Sequence, residues 1–199
     1  HLCDYNLENI NDYENINNHT LLVDVCLAAK HEGQSITQDY PKYQAQYASS
    51  ASPSQICTML ARSFADIGDI VRGKDLFLGN NKEKKKLQTN LKNIFEKIHD
   101  KLDNSIKSKY NDDPNYYKLR NAWWEANRQE VWKAITCNAG GSQYFRATCS
   151  DSGDNEKHST LASNKCRCDG AKGADADQVP TYFDYVPQYL RWFEEWAED

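Results

Sequence analysis

Residues 52–73 read SPSQICTMLARSFADIGDIVRG, and this stretch decides the fold class. Ile56, Met59, Leu60, Phe64, Ile67, Ile70 and Val71 recur at steps of three and four, which puts them on one face of an α-helix. Both ends are marked. Ser52 can accept the unsatisfied N–H groups of a first turn, Pro53 suits the first helical position because its missing donor is not needed there, and Gly73 suits a left-handed cap.

The same period runs outward in both directions. Upstream, Leu22, Val25, Cys26 and Ala29 predict a helix from about Asn18 to Lys30 with Gly33 as its stop. A second helix, rich in Tyr and Gln, follows from Thr37 to Ala48 and is limited by Pro41. Downstream, Leu87, Leu91, Ile94, Phe95, Ile98, Leu102 and Ile106 predict one amphipathic helix from Lys82 to Lys109; at 3.6 residues per turn it makes about seven turns. Asn111-Asp112-Asp113-Pro114 reads as a connection, with Asp113 as N-cap and Pro114 at the first position of a helix that carries Tyr117, Leu119, Trp123, Trp124, Val131, Trp132 and Ile135 to Cys137. From Asn138 to Val179 the period is lost, and a loop that long needs ties, which Cys149, Cys166 and Cys168 can supply. A last helix is announced by Val186-Pro187 and shows Tyr189, Leu190, Phe193, Trp196 and Ala197. No internal repeat and no alternating strand pattern stands out, so the fold class is all-α, a disulfide-linked helical bundle with long irregular loops.

Seven cysteines, Cys3, Cys26, Cys57, Cys137, Cys149, Cys166 and Cys168, are spread over the 199 residues. Disulfides formed in an oxidising compartment are the simplest reading, and the odd thiol is expected to have lost its partner to truncation. Zinc is the competing use of Cys137, Cys149, Cys166 and Cys168, but structural zinc sites bring cysteines in pairs two to four residues apart, a spacing absent here. Asp169, Asp175 and Asp177 lack the ordered ligand positions of a calcium loop. No metal and no cofactor is expected. The five histidines, His1, His19, His31, His99 and His158, have no acid or thiol at a catalytic spacing, and His99 is expected to be exposed on its helix. No phosphate-cradling loop or nucleophile elbow occurs, so the chain reads as a non-enzyme. Trp123, Trp124, Trp132, Trp192 and Trp196 sit at helical spacing and are expected in the core. Asn18-His19-Thr20 has the form of a glycosylation acceptor, a triplet common by chance.

The net charge of -5 is unevenly placed. Residues 72–109 carry eleven Lys and Arg against five Asp and Glu, a local charge of +6, which leaves -11 for the remainder. Lys82, Lys84, Lys85, Lys86 and Lys92 are either a solvated helix face or a polyanion site, since ammonium groups gather sulfate or sialate through steering and counterion release. Nucleic acid fits that physics but not the extracellular use of cysteine, so a sulfated glycan is the expected anion. No apolar run approaches the ~20 residues of a membrane span, and any membrane anchor is expected outside this fragment.

Several long stretches together resemble one family. They are His1 to Leu7, Ala61 to Gly73, Trp123-Trp124-Glu125-Ala126-Asn127-Arg128 with Val131-Trp132, Cys166-Arg167-Cys168, and Pro187 to Trp196. These are similar to the Duffy-binding-like domains, alpha class, of the Plasmodium falciparum erythrocyte membrane protein family. The resemblance implies a three-part, disulfide-cross-linked helical architecture: residues 1–52 close a first part, 53–178 form a helical second part with a tied loop, and 179–199 open a third that stops early. It also implies an adhesin on the extracellular face of the infected red-cell membrane, with rosetting, cytoadherence and antigenic variation as its roles. The implied partners are a host receptor or glycan (blood-group sugar, heparan sulfate, complement receptor) and host antibodies. The alternative is a structural module that supports a neighbouring binding domain. The motif residues read as core and caps, so contacts are expected in the loops at 31–52, 74–86 and 138–178.

Overall fold

The computed structural model describes residues 15–46, 55–76, 81–142, 147–150, 159–162, 164–168 and 178–192. Five α-helices follow in order: α1 (Asn18–Gln46), α2 (Gln55–Arg72), α3 (Asn81–Asp100), the single turn α4 (Asn104–Lys107) and α5 (Tyr117–Ile135). Short 3-10 turns occupy Ser108–Tyr110 and Phe183–Tyr185, and residues 188–192 are helical. Helix α5 is the hub, with α1, α2 and α3 all packed against it. Its Leu119, Trp123, Trp124, Val131, Trp132 and Ile135 are buried over a broad arc, as a helix with several neighbours requires. Phe64 of α2 sits between Trp124 and Trp132, ring centroids 5.1 and 5.2 Å away. Those three rings join the α2 apolar stripe to α5, and tryptophan as core holds for Trp123, Trp124 and Trp132. Trp196 lies outside the described residues.

Helix α1 runs unbroken where two helices are expected. Gly33 is no stop: a Cβ there would lie 1.9 Å from the Ile135 carbonyl oxygen, so glycine lets α1 and α5 touch. A mid-helix glycine costs about 1 kcal/mol against alanine, which close packing offsets. Pro41 is accommodated inside the helix. The start is capped by Asn17, whose side-chain oxygen accepts the N–H groups of His19 and Thr20 at 2.8 and 3.1 Å. The proposed cap of α2, Ser52 with Pro53, lies outside the described residues. Its end is as expected: Gly73 has φ 73°, its N–H bonds Ile70, and Lys74 N–H bonds Asp69, which satisfies two terminal carbonyls.

The helix expected from Lys82 to Lys109 breaks at Asp100. Asp103, Asn104 and Ser105 compete for backbone groups and favour a new start, and the Asp103 carbonyl accepts from Ile106 and Lys107. Ile106, no longer on the apolar stripe, is exposed. The start of α5 also moves. The N-cap is Tyr116, in the left-handed conformation, and not Asp113, although the Asp113 carboxylate still accepts Lys118 N–H at 2.6 Å, and Pro114 falls in the preceding turn.

In the irregular region two strands, β1 (Ala147–Ser150) and β2 (Ser159–Leu161), pair antiparallel. At four and three residues they are too short to print an alternating pattern. Cys57–Cys166 ties this region to α2 over a separation of 109 residues, and Cys149–Cys168 closes a separation of 19. In the chain-entropy account a loop near 100 residues is worth about 4.7 kcal/mol and one near 15 about 3. Cys149, Cys166 and Cys168 are therefore spent in disulfides, not offered as thiolates to zinc. Cys26 and Cys137, expected to be bonded, carry free thiols; the other four described cysteines are already paired. Burial pushes the Cys26 thiol up to about 11, with Glu130 adding to the effect. Cys3 lies outside the described residues.

Candidate functional site

The apolar stripe of α3, with Leu87, Leu91, Ile94, Phe95 and Ile98 buried, dictates what its other side presents. Each residue advances about 100° around the axis, so Lys82, Lys85, Lys86 and Lys92 share an arc of about 120°. All four are exposed, and among the described residues none of them forms an ion pair. Farther along the arc come the exposed Glu96 and Asp100, so the basic character belongs to the first half of the helix. Four ammonium groups held on one rigid face can meet a chain of sulfates without first ordering a loop.

Lys84 is different from its neighbours. Its Nζ lies 2.6 Å from the Asp75 carboxylate, with the two side chains 31% and 10% exposed. Gln188 donates its amide to Asp75 at 2.8 Å and accepts Leu76 N–H at 2.6 Å. Lys84 thus ties α3 to the segment that follows α2, which Gln188 in turn joins to residues 178–192. His99, expected exposed, is buried, its ring 5.3 Å from that of Tyr116. Placed four residues after Phe95, it shares the face turned to α5. Of the loops expected to carry contacts, residues 31–46 lie in α1, and much of 138–178 lies outside the described residues.

Sequence reasoning missed a cluster of buried charges between α2, α5 and residues 178–192. Arg191 donates to Asp66 at 2.7 Å and Asp69 at 2.6 Å. Arg72 pairs with Asp69 at 2.9 Å and donates to the Asp184 carbonyl. Asp184, 2% exposed, accepts from Arg128 at both oxygens and from the Trp124 indole at 2.9 Å. Burial opposes the charges of Arg128 and Arg191, but bonds to Asp184 and Asp69 outweigh it and hold both above the ordinary guanidinium value. Burial pushes the Asp66 carboxyl up, against the pull of Arg191. A fourth guanidinium, Arg120, has acceptors of another kind: the Ile70 and Val71 carbonyls and Gln88. Burial pushes it down to about 10, while the negative end of the α2 dipole favours its charge. No sequence signal pointed to it: at 100° per residue Asp69 and Arg72 fall opposite the apolar stripe of α2, and only the fold buries them, where a charge needs a partner.

No ligand-holding group emerges from the acids and thiols: among the described residues no three His, Cys, Asp or Glu side chains are grouped to hold a metal ion. Likewise, among the described residues no helix is long and apolar enough to cross a membrane.

Comparison with known proteins agrees with this architecture. Residues 1–191 match the family model described as Duffy binding domain. No curated protein matches the chain. Among solved structures, the NTS-DBL1(alpha-1) domain of the Plasmodium falciparum membrane protein 1 (PfEMP1) from the varO strain is 44% identical, with a TM-score of 0.77, over 100% of this chain and 41% of that one. A PfEMP1 DBLβ domain bound to human ICAM-1 is 34% identical, TM-score 0.70, over 100% of this chain and 38% of that one. The ICAM-1-binding DBLβ domain of PfEMP1 IT4var13 is 34% identical, TM-score 0.65, over 100% and 41%. The chain spans about two fifths of the length of these solved structures.

Proposed function

The chain belongs to the Duffy binding domain family, and from that premise we propose that it is part of a host-cell adhesin of the malaria parasite, displayed on the outer face of the infected red cell, whose first half of α3 contacts a sulfated glycan of the heparan sulfate kind. The observation that carries the glycan reading is the exposed arc of Lys82, Lys85, Lys86 and Lys92. The ICAM-1 bound by two of the similar domains supports a host surface receptor as the class of partner. Lys84, with its charge against Asp75, supports the face from behind.

The test is charge reversal of Lys82, Lys85 and Lys86 together, with Lys84 left in place. Heparin retention is expected to fall and its salt dependence to flatten, at unchanged melting temperature. Retention equal to the unmodified chain at every salt concentration rejects the lysine face as the contact.

A second reading, a module that supports a neighbouring binding domain, is favoured by one observation: the described parts of the family-like stretches lie largely in the core and the Arg–Asp cluster. Binding of red cells or heparin by the isolated folded chain separates the two, because a pure support binds neither.

A further inference from the structure

The exposed side of α3 carries more than its lysines. Lys82, Lys86, Thr89, Asn93, Glu96 and Asp100 follow one another at alternating steps of four and three, the spacing by which one helix meets another along a seam. At 100° per residue they share an arc of about 80°. Asn93 is half-buried and the other five are exposed. The two ends of the seam carry opposite charges, and its members are placed symmetrically about Leu91. Turned end over end, the seam therefore meets its own complement: Lys82 faces Asp100, Lys86 faces Glu96, and Thr89 faces Asn93. A parallel copy brings lysine against lysine, and like charges repel. The acidic end is available. Among the described residues Glu96 forms no ion pair, and Asp100, which meets Lys107 at 3.3 Å, keeps a side chain 59% exposed.

We infer that this side of α3 is a self-association surface, on which a second copy of the chain docks antiparallel about a two-fold axis beside Leu91. In an isologous contact of that kind each pair is made twice. The ion pairs lie at the surface, individually weak and screened by salt, and the seam has no apolar centre. Pairing therefore belongs to copies held at an effective concentration of about a millimolar, as when crowded on one cell surface, and not to dilute solution. That crowding rests on the adhesin reading; the register of the seam does not. A paired copy covers Lys82 and Lys86, so a chain engaged with its neighbour withholds two of the four arc lysines from a polyanion.

Zero-length coupling of amines to carboxylates by a carbodiimide tests this, on a mixture of 14N- and 15N-labelled 199-residue chains at low salt and about 1 mM. Along one helix Lys86 and Glu96 are about 15 Å apart, and Lys82 and Asp100 about 27 Å, so a direct link within either pair needs two chains. Lys82–Asp100 and Lys86–Glu96 links that join light to heavy peptides are expected. With Lys82–Asp100 as the reporter, Glu96→Lys should lower the yield at least tenfold, and Lys86→Glu added to it should restore most of the yield. Glu96→Lys withdraws no lysine, so heparin retention by that chain reports the glycan contact apart from the pairing. Absence of mixed peptides from the unmodified chain overturns the inference. So does equal linking by a Glu96→Lys chain of unchanged melting temperature, or a double exchange that restores nothing. Mixed links that join Lys86 only to acids outside α3 overturn it as well, because the occupant is then another surface. Should the variants not fold, salt decides on the unmodified chain: the reporter link must vanish near 1 M, where the screening length is about 3 Å, and its persistence there overturns the pairing.

Discussion

Two groups of cations in this molecule have opposite fates. Arg72, Arg128 and Arg191 are turned inward, each against a carboxylate, and they clamp residues 178–192 onto α2 and α5. Lys82, Lys85, Lys86 and Lys92 are turned outward on α3 with no carboxylate paired to them among the described residues. Guanidinium suits the first place because its planar fork meets two acceptors at once and tolerates desolvation; the strongly hydrated ammonium suits the second. Burial, more than charge, separates the cations that hold the fold from those left to solvent. Removing a partner from the clamp strands a buried charge, whereas removing a lysine from the face strands nothing.

The largest effect expected from that difference is at Asp184. Asp184→Ala leaves Arg128 and the Trp124 indole facing a void, and breaking a buried pair from one side costs about 3–5 kcal/mol. For a chain of this size that is a fall in melting temperature on the order of 10 °C, measured without reductant so that the disulfides stay closed. A loss under 1 kcal/mol would break the comparison, because the clamp would then be no more structural than the lysine face.

Within the clamp, Asp66 and Asp69 bind the same guanidinium but are not equivalent. Asp69 is buried and shared by Arg72 and Arg191; among the described residues Asp66 pairs with Arg191 alone, with its side chain 39% exposed. Asp69→Asn is expected to destabilise more than Asp66→Asn. The folded-state pKa of Asp66 is raised above the unfolded value of 3.8, mainly by burial. The stability linked to its protonated form is therefore complete below that value and lost as pH rises through the folded pKa. The disadvantage of Asp66→Asn should accordingly be greatest near the acid end and shrink toward neutrality, as urea titrations at several pH values would show. A disadvantage that grows with pH would reverse the sign assigned to Asp66.

How much of this was legible follows from the same distinction. The apolar periods of α2, α3 and α5 are read directly, since core-facing residues must recur at the helical step. Gly33 misled because conformational freedom and close approach look alike in sequence: the reason for glycine lies on Ile135, about a hundred residues away. The break after Asp100 was masked by Leu102 and Ile106, which keep the stripe's spacing although one is only half-buried and the other exposed. Partners such as Asp184 for Trp124 and Gln188 for Asp75 are set by tertiary structure, and no local pattern announces them. The lysine face was visible in sequence as a run, but only the fold separates Lys84 from it.

That separation predicts a smaller effect. Lys84→Ala removes a pair that is partly exposed on one side, and a cost of about 1 kcal/mol is expected, seen as a lower urea midpoint with an unchanged slope. Heparin retention should fall less than for Lys85→Ala. The reverse order would move Lys84 back into the contact face and weaken the division between the two groups.

The smallest effect on stability, and the most informative in sign, belongs to Lys86→Glu. Lys82 and Lys86 are four residues apart on α3, where like charges destabilise by about 0.2–0.5 kcal/mol and opposite charges stabilise by as much. Exchanging Lys86 for glutamate turns that repulsion into an attraction but puts a like charge three residues after Glu83, and both lysines are exposed, so the melting temperature should stay level. Polyanion binding must move the other way: by the counterion arithmetic of nucleic acids, each ammonium withdrawn from the polyanion lowers the logarithmic salt slope by about 0.7–0.9. A chain that melts no lower while releasing heparin at lower salt is the behaviour expected of an outward-facing contact surface. Loss of stability together with unchanged heparin retention would place Lys86 with the clamp.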